Sequence, residues 1–234
     1  MAALKPTILI VCTGNICRSP AAALLLTHML GPSTEHFHIH TAGIRAVEGA
    51  PMDSIIGRLL SLKGVEATHS SSRKIDVGMI ESADLVLTAS TNQRAAVVKL
   101  RPAAVRKTMT LKQLARYAPF ILESHEPPLA AGDRISWILD GLPGARARAV
   151  RRESDSVADP TGKSGRHYKV ALKELDSACG MIAPLLRAEQ ARSDPDPIVW
   201  VRREVRPVAA AQVSAVGHVA RQRESNVGLS GFAG

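Results

Sequence analysis

The sequence predicts a three-layer α/β/α fold around a central, mostly parallel four-stranded sheet. Three observations carry that prediction. Short β-branched or apolar runs alternate with longer helix-forming segments, the order that builds a doubly wound sheet. The first run, "TILIVC" (7–12), is apolar without alternation, as in a strand covered on both faces. Of the 234 residues, 45% are hydrophobic but only 3% aromatic, so one sizeable core is within reach and aliphatic side chains must fill it.

The elements follow in order. After the strand at 7–12 comes a loop, "TGNICRSP", and then "AAALLLTHMLG", rich in helix formers and ending at Gly31. Ser19-Pro20 suits a helix start, with Ser19 as N-cap and Pro20 at the first helical position. "FHIHTAG" (37–43) alternates and reads as the second strand, with His36, His38 and His40 sharing one exposed face. "PMDSIIGRLLSLKGV" (51–65) reads as an amphipathic helix closed by Gly64. "ADLVLTAS" (83–90) is the third strand, and "TNQRAAVVKL" (91–100) a helix capped by Thr91. "KTMTL" (107–111) supplies the fourth strand, with a helix in "KQLARYAPFIL". Residues 129–152 are rich in Ala and Arg, interrupted by Pro143-Gly144, and 165–186 form a long last helix. The composition shifts at "ARSDPDP". We therefore expect one domain over 1–190 and a flexible tail over 191–234, within which "IVWVRREV" stands out as apolar.

Charge and cysteine usage narrow the partners. A net charge of +9 draws anions, although a solvated basic face accounts for it equally. Cys12, Cys17 and Cys179 form an odd set without disulfide-framework spacing, which points to a reducing, cytoplasmic setting. No run approaches the about 18 apolar residues of a membrane helix. The expected partners are a phosphorylated protein or a small phosphate ester. Nucleic acid is not expected, and the oligomeric state is open.

The loop at 12–18 carries the chemistry. Its backbone N–H groups, from Thr13, Gly14, Asn15, Ile16, Cys17 and Arg18, lie between a strand end and a helix N-terminus, a natural cradle for an anion. Gly14 permits positive φ, and Asn15 tolerates it. The planar fork of Arg18 binds two oxygens of a phosphate at once. Cys12 sits under the same positive field, which favours a nucleophilic thiolate, and the Ser19 hydroxyl is placed to hydrogen-bond it. Cysteine attack on the held phosphate gives a cysteinyl-phosphate. Cys17 reads either as a packed loop thiol or as a resolving partner for oxidised Cys12. Neither a metal nor another cofactor is called for.

"VCTGNICRSP" resembles the signature of the low-molecular-weight protein tyrosine phosphatases, and the resemblance extends over about 6–189, with "HTAG" and "GVEATHSSSRK" (64–74) included. It implies a general acid in an Asp-Pro pair before the last helix. That assigns Asp159 of "VADPTGKSGRHY" rather than Asp194 or Asp196. It also implies a histidine supporting the loop asparagine, which falls on His69. The chain departs from the family in three places. The pocket aromatics are missing from "DPTG" and "IRAVEGAP", "TAS" replaces an Asp after the third strand, and 100–157 is long, forming either a lid or an extra helical layer. Without aromatics the substrate need not be phosphotyrosyl. Arsenate reduction on this scaffold needs two further relay cysteines, and none lies between Cys17 and Cys179. A protein-arginine phosphatase carries Thr where this chain has Ile16. A non-catalytic phosphate- or nucleic-acid-binding module would need neither Cys12 nor Asp159.

Overall fold

The parallel sheet runs in the order β2-β1-β3-β4, built from β1 (Thr7–Cys12), β2 (His38–Gly43), β3 (Leu85–Thr88) and β4 (Thr108–Thr110). This computed structural model describes residues 5–67, 71–124, 126–150 and 154–187. The helices are α1 (Arg18–Leu30), α2 (Ser54–Ser61), α3 (Val77–Ser82), α4 (Thr91–Leu100), α5 (Leu111–Ser124), α6 (Ala131–Arg148) and α7 (Gly165–Leu186). Short 3-10 helices span Gly31–His36 and Pro102–Lys107. The expected three-layer α/β/α class is therefore the fold observed.

Alternate residues of β1 serve two cores. Ile8 and Ile10 pack with α1, α2, α5, α6 and α7, whereas Leu9 and Val11 pack with Ile80 of α3 and Val97 of α4. All four of these β1 side chains are at most 1% exposed, which is why "TILIVC" shows no polar alternation. In register, Cys12 pairs with Gly43, and Val11 with Thr88. The carboxyl ends of three strands thus line up where the strand order reverses around β1, the position at which open α/β sheets bind ligands.

Several boundaries differ from expectation, each for a local reason. α1 begins at Arg18, and Cys17 occupies the N-cap position without a side-chain cap; the Ser19 hydroxyl is engaged elsewhere. The 51–65 helix is limited to α2, because Asp53 Oδ1 accepts from the N–H groups of Ile55 and Ile56 and so fixes the start. Gly64 lies beyond the helix at φ 74°, in a turn. Ser90, not Thr91, caps α4 by accepting from the Gln93 N–H. Pro143 does not interrupt α6, an 18-residue helix that carries it inside. His36 belongs to the 3-10 turn, so only His38 and His40 share the β2 face, with rings stacked 6.1 Å apart. The long segment before Asp159 contributes α5 and α6 to the helical layer.

The expected tail, 191–234, lies outside the described residues, as does His69. Among the described residues, no helix is long and apolar enough to cross a membrane, and no cluster of three His, Cys, Asp or Glu is placed to hold a metal.

Candidate active site

The 12–18 loop is held from outside by its carbonyls. Ile44 N–H donates to Cys12 O (3.0 Å), Arg45 N–H to Thr13 O (2.8 Å), Asp53 N–H to Ile16 O (2.8 Å) and Ala21 N–H to Cys17 O (3.0 Å). With those acceptors engaged, the N–H groups of Gly14, Ile16 and Cys17 have no partner among the described residues. A loop of unpaired donors at a helix N-terminus suits an anion.

Two donors converge on the Cys12 sulfur: the Asn15 N–H at 3.2 Å and the Ser19 Oγ at 3.0 Å. Both bonds strengthen when the sulfur is ionised. Of the two residues the sequence offered for positive φ, Asn15 adopts it, at 55°, and Gly14 does not. The Asn15 side chain stabilises that conformation by bonding at both ends. Its Nδ2 donates to Ser19 Oγ (3.0 Å) and its Oδ1 accepts from the Arg73 N–H (2.8 Å). The loop asparagine is thus supported, among the described residues, by a main-chain amide.

Arg18 is 4% exposed and spends its fork on three acceptors: Val157 O (3.2 Å), Thr13 Oγ1 (3.3 Å) and a carboxylate oxygen of Asp159. Asp159 is therefore brought to the loop across 141 residues of sequence, its side chain 44% exposed. The segment carrying it is pinned twice. Val157 N–H donates to Ala89 O (2.8 Å), and Thr91 N–H to Ser156 Oγ (3.1 Å). Behind it, Arg116 grips both oxygens of Asp155, Gln113 Nε2 adds a third bond (3.2 Å), and Lys112 Nζ reaches Ser156 O (3.3 Å). Burial raises the Asp155 carboxyl, but the Arg116 and Gln113 hydrogen bonds outweigh it and hold the group below its ordinary value.

Cys17 lies 2% exposed in the same loop, and its thiol is pushed up to about 12 by burial, the Asp53 carboxylate and Cys12. It is therefore protonated at neutral pH. Asp53 in turn accepts from the Tyr168 hydroxyl (2.7 Å), tying α7 to the loop. That bond, then burial, pushes the phenol up to about 12. Cys179 is fully buried and donates to Ala22 O (3.5 Å), a packing role.

Sequence reasoning missed three contributors. Gly43 allows the β2 end to approach the loop: a Cβ there would lie 2.6 Å from Thr13 O and 2.8 Å from Asn15 N. Gln93 donates to Thr13 Oγ1 (3.0 Å), and Val157 offers a carbonyl to Arg18. The glycine ending "HTAG" was a legible signal for the first; nothing local marked the other two.

The sequence pattern of the family described as "Low molecular weight phosphotyrosine protein phosphatase" matches residues 7–127. The chain is similar to the protein-arginine-phosphatase of Geobacillus stearothermophilus, with 31% identity over 183 residues, 78% of this chain and 97% of that one. It is also similar to the low molecular weight protein-tyrosine-phosphatase Etp of Escherichia coli K12, with 34% identity over 114 residues, 48% of this chain and 74% of that one. Among solved structures, the YwlE arginine phosphatase of Geobacillus stearothermophilus superimposes with a TM-score of 0.57 at 28% identity, covering 81% of this chain and 98% of that one.

Proposed function

Because the chain belongs to the low molecular weight phosphotyrosine protein phosphatase family, we propose that it hydrolyses phosphate monoesters, protein phosphotyrosine first among them, through a cysteinyl-phosphate. The observation that carries the reading is the pair of donors on Cys12 Sγ, inside a loop whose Arg18 also contacts Asp159.

The first step forms an S–P bond from the Cys12 thiolate and breaks the P–O bond to the leaving group, whose oxygen takes a proton from Asp159. The loop N–H groups and the Arg18 fork hold the three equatorial oxygens as charge spreads over them. For this the phosphoryl group must displace Asp159 from the guanidinium, which frees the carboxyl to face the leaving oxygen. In the second step Asp159 accepts a proton from water. That water forms the new P–O bond, the S–P bond breaks, and the electron pair returns to sulfur. Ser19 Oγ, already on Sγ, stabilises the sulfur as it departs. With three free thiols we place the protein in the cytoplasm.

A second reading is protein-arginine phosphatase, favoured by the 97% coverage of that relative. The apolar Ile16 argues for esters, since the arginine branch carries Thr there. The test is turnover of p-nitrophenyl phosphate, a phosphotyrosine peptide and a phosphoarginine peptide by wild type and Cys12→Ser. Metal-independent activity lost in Cys12→Ser, with kcat/KM higher on phosphotyrosine, is the expected result. Undiminished turnover in Cys12→Ser overturns the mechanism, and a preference for phosphoarginine replaces the first reading with the second.

A further inference from the structure

Gln93 is an amide side chain in the first turn of α4, on an element the mechanism above does not use. It is 6% exposed. Its Nε2 donates to Thr13 Oγ1 at 3.0 Å, while its Oε1 is buried with no hydrogen-bond partner among the described residues. Burying half an amide unpaired disfavours folding, so a residue kept there for stability alone would be apolar. What the amide does is grip Thr13. That hydroxyl oxygen also accepts from Arg18 Nη2, at 3.3 Å.

The three groups form a chain: Gln93 Nε2 to Thr13 Oγ1, and Thr13 Oγ1 to Arg18 Nη2. Of the three acceptors on the Arg18 fork, Asp159 must give way when a phosphoryl group enters. Val157 O and Thr13 Oγ1 remain to set the plane of the guanidinium. Val157 is fixed by its N–H to Ala89 O, just before α4, and Ser156 by the N–H of Thr91. The N-terminal end of α4 therefore anchors both remaining acceptors, one through the main chain and one through Gln93.

We propose that Gln93 is a positioning residue for the phosphatase reaction, holding Thr13 so that the Arg18 fork meets the equatorial oxygens in the transition state. The proposal rests on the phosphatase reading. Gln93 reaches Arg18 only through Thr13 and makes no hydrogen bond to the Cys12 sulfur. Its effect is on preorganisation, which matters more for the trigonal-bipyramidal transition state than for a bound tetrahedral phosphate.

The test compares wild type, Gln93→Met, Thr13→Val and the double variant. Binding of vanadate, which adopts the five-coordinate geometry, and of inorganic phosphate is measured by calorimetry, alongside kcat and KM for p-nitrophenyl phosphate. We expect Gln93→Met to weaken vanadate about tenfold and lower kcat about tenfold, with phosphate affinity and KM within about twofold. The melting temperature should not fall, since an unpaired buried oxygen is removed. The double variant should be no worse than Thr13→Val, because both act through one hydroxyl. Wild-type vanadate affinity and kcat in Gln93→Met would overturn the proposal while leaving the phosphatase reading standing. So would additive losses in the double variant, or equal weakening of vanadate and phosphate with a lower melting temperature, which marks a structural role. Failure of wild type to bind vanadate would instead overturn the phosphatase reading beneath it.

Discussion

Gly43→Ala tests whether the loop is held in place by the neighbouring strand end. The added Cβ would lie 2.6 Å from Thr13 O, 2.8 Å from Asn15 N and 3.0 Å from the Ala46 Cβ. Two of these are main-chain atoms of the loop, and neither can swing aside as a side-chain tip would. Restoring an ordinary contact of about 3.4 Å moves Thr13 O by about 0.8 Å, at a strain of roughly 1–3 kcal/mol. Thr13 directly follows Cys12 and carries an acceptor of Arg18, so nucleophile and cation shift together. A misplacement near 1 Å costs on the order of 10²-fold in rate. Gly14→Ala is the matched control, despite its place inside the signature. A Cβ there meets the Ile16 side chain at ordinary contact distance, Cγ1 at 3.6 Å and Cδ1 at 3.9 Å, and Gly14 does not carry the loop's positive φ. We expect kcat/KM on p-nitrophenyl phosphate to fall about 10²-fold in Gly43→Ala and far less in Gly14→Ala, with both proteins folded by circular dichroism. Near-wild-type turnover in Gly43→Ala, or a larger loss in Gly14→Ala, would refute the reasoning.

The other predictions concern the acid, the clamp and the tie to α7. Asp159→Asn should lower kcat by about 10²–10⁴-fold on substrates with poor leaving groups, and much less on activated phenyl esters; equal losses on both would remove its role as proton donor. Asp155→Asn should destabilise the fold by about 2 kcal/mol in urea at pH 7, since it leaves the Arg116 fork without its anionic partner. The Asp155 carboxyl is depressed in the folded state, so its contribution is present above the unfolded value near pH 4. It is lost as pH falls through the lower folded value, and the gap between wild type and variant should close in acid. Tyr168→Phe should cost about 1–2 kcal/mol by removing the donor to Asp53. The phenol is raised to about 12, so its linkage is complete below about pH 10 and drains away as pH climbs towards 12. A stability gap that persists unchanged at pH 12 would contradict that bond.

The parts of the site that could be read in the sequence are those whose chemistry is local. Cys12, the loop donors, Arg18 and Ser19 fall within eight consecutive residues, between an apolar strand and a helix, and each residue type states its own purpose. Asp159 was legible only through the family resemblance, because its partner Arg18 lies 141 residues away. Gln93 and Val157 act through contacts made only by tertiary folding, which leave no periodicity or spacing behind, whereas Gly43 was marked by the glycine ending "HTAG". Local rules also misplaced some details. Ser19 looks like a cap because Ser-Pro often begins a helix, yet the hydroxyl is drawn to a sulfur across the loop. Pro143 looks like a break, yet α6 carries it within a continuous helix.

The long sequence gap between Arg18 and Asp159 also has a consequence for the chain as it is made. Cys12 and its loop precede α1, whereas Asp159, the proposed proton donor, follows α6, so six of the seven α-helices of the described residues lie between them. A partial chain bears a cysteine with no acid to finish the reaction. A chain cut short after α6 would carry the proposed nucleophile without the proposed acid, so we expect any turnover it retains to be confined to activated esters.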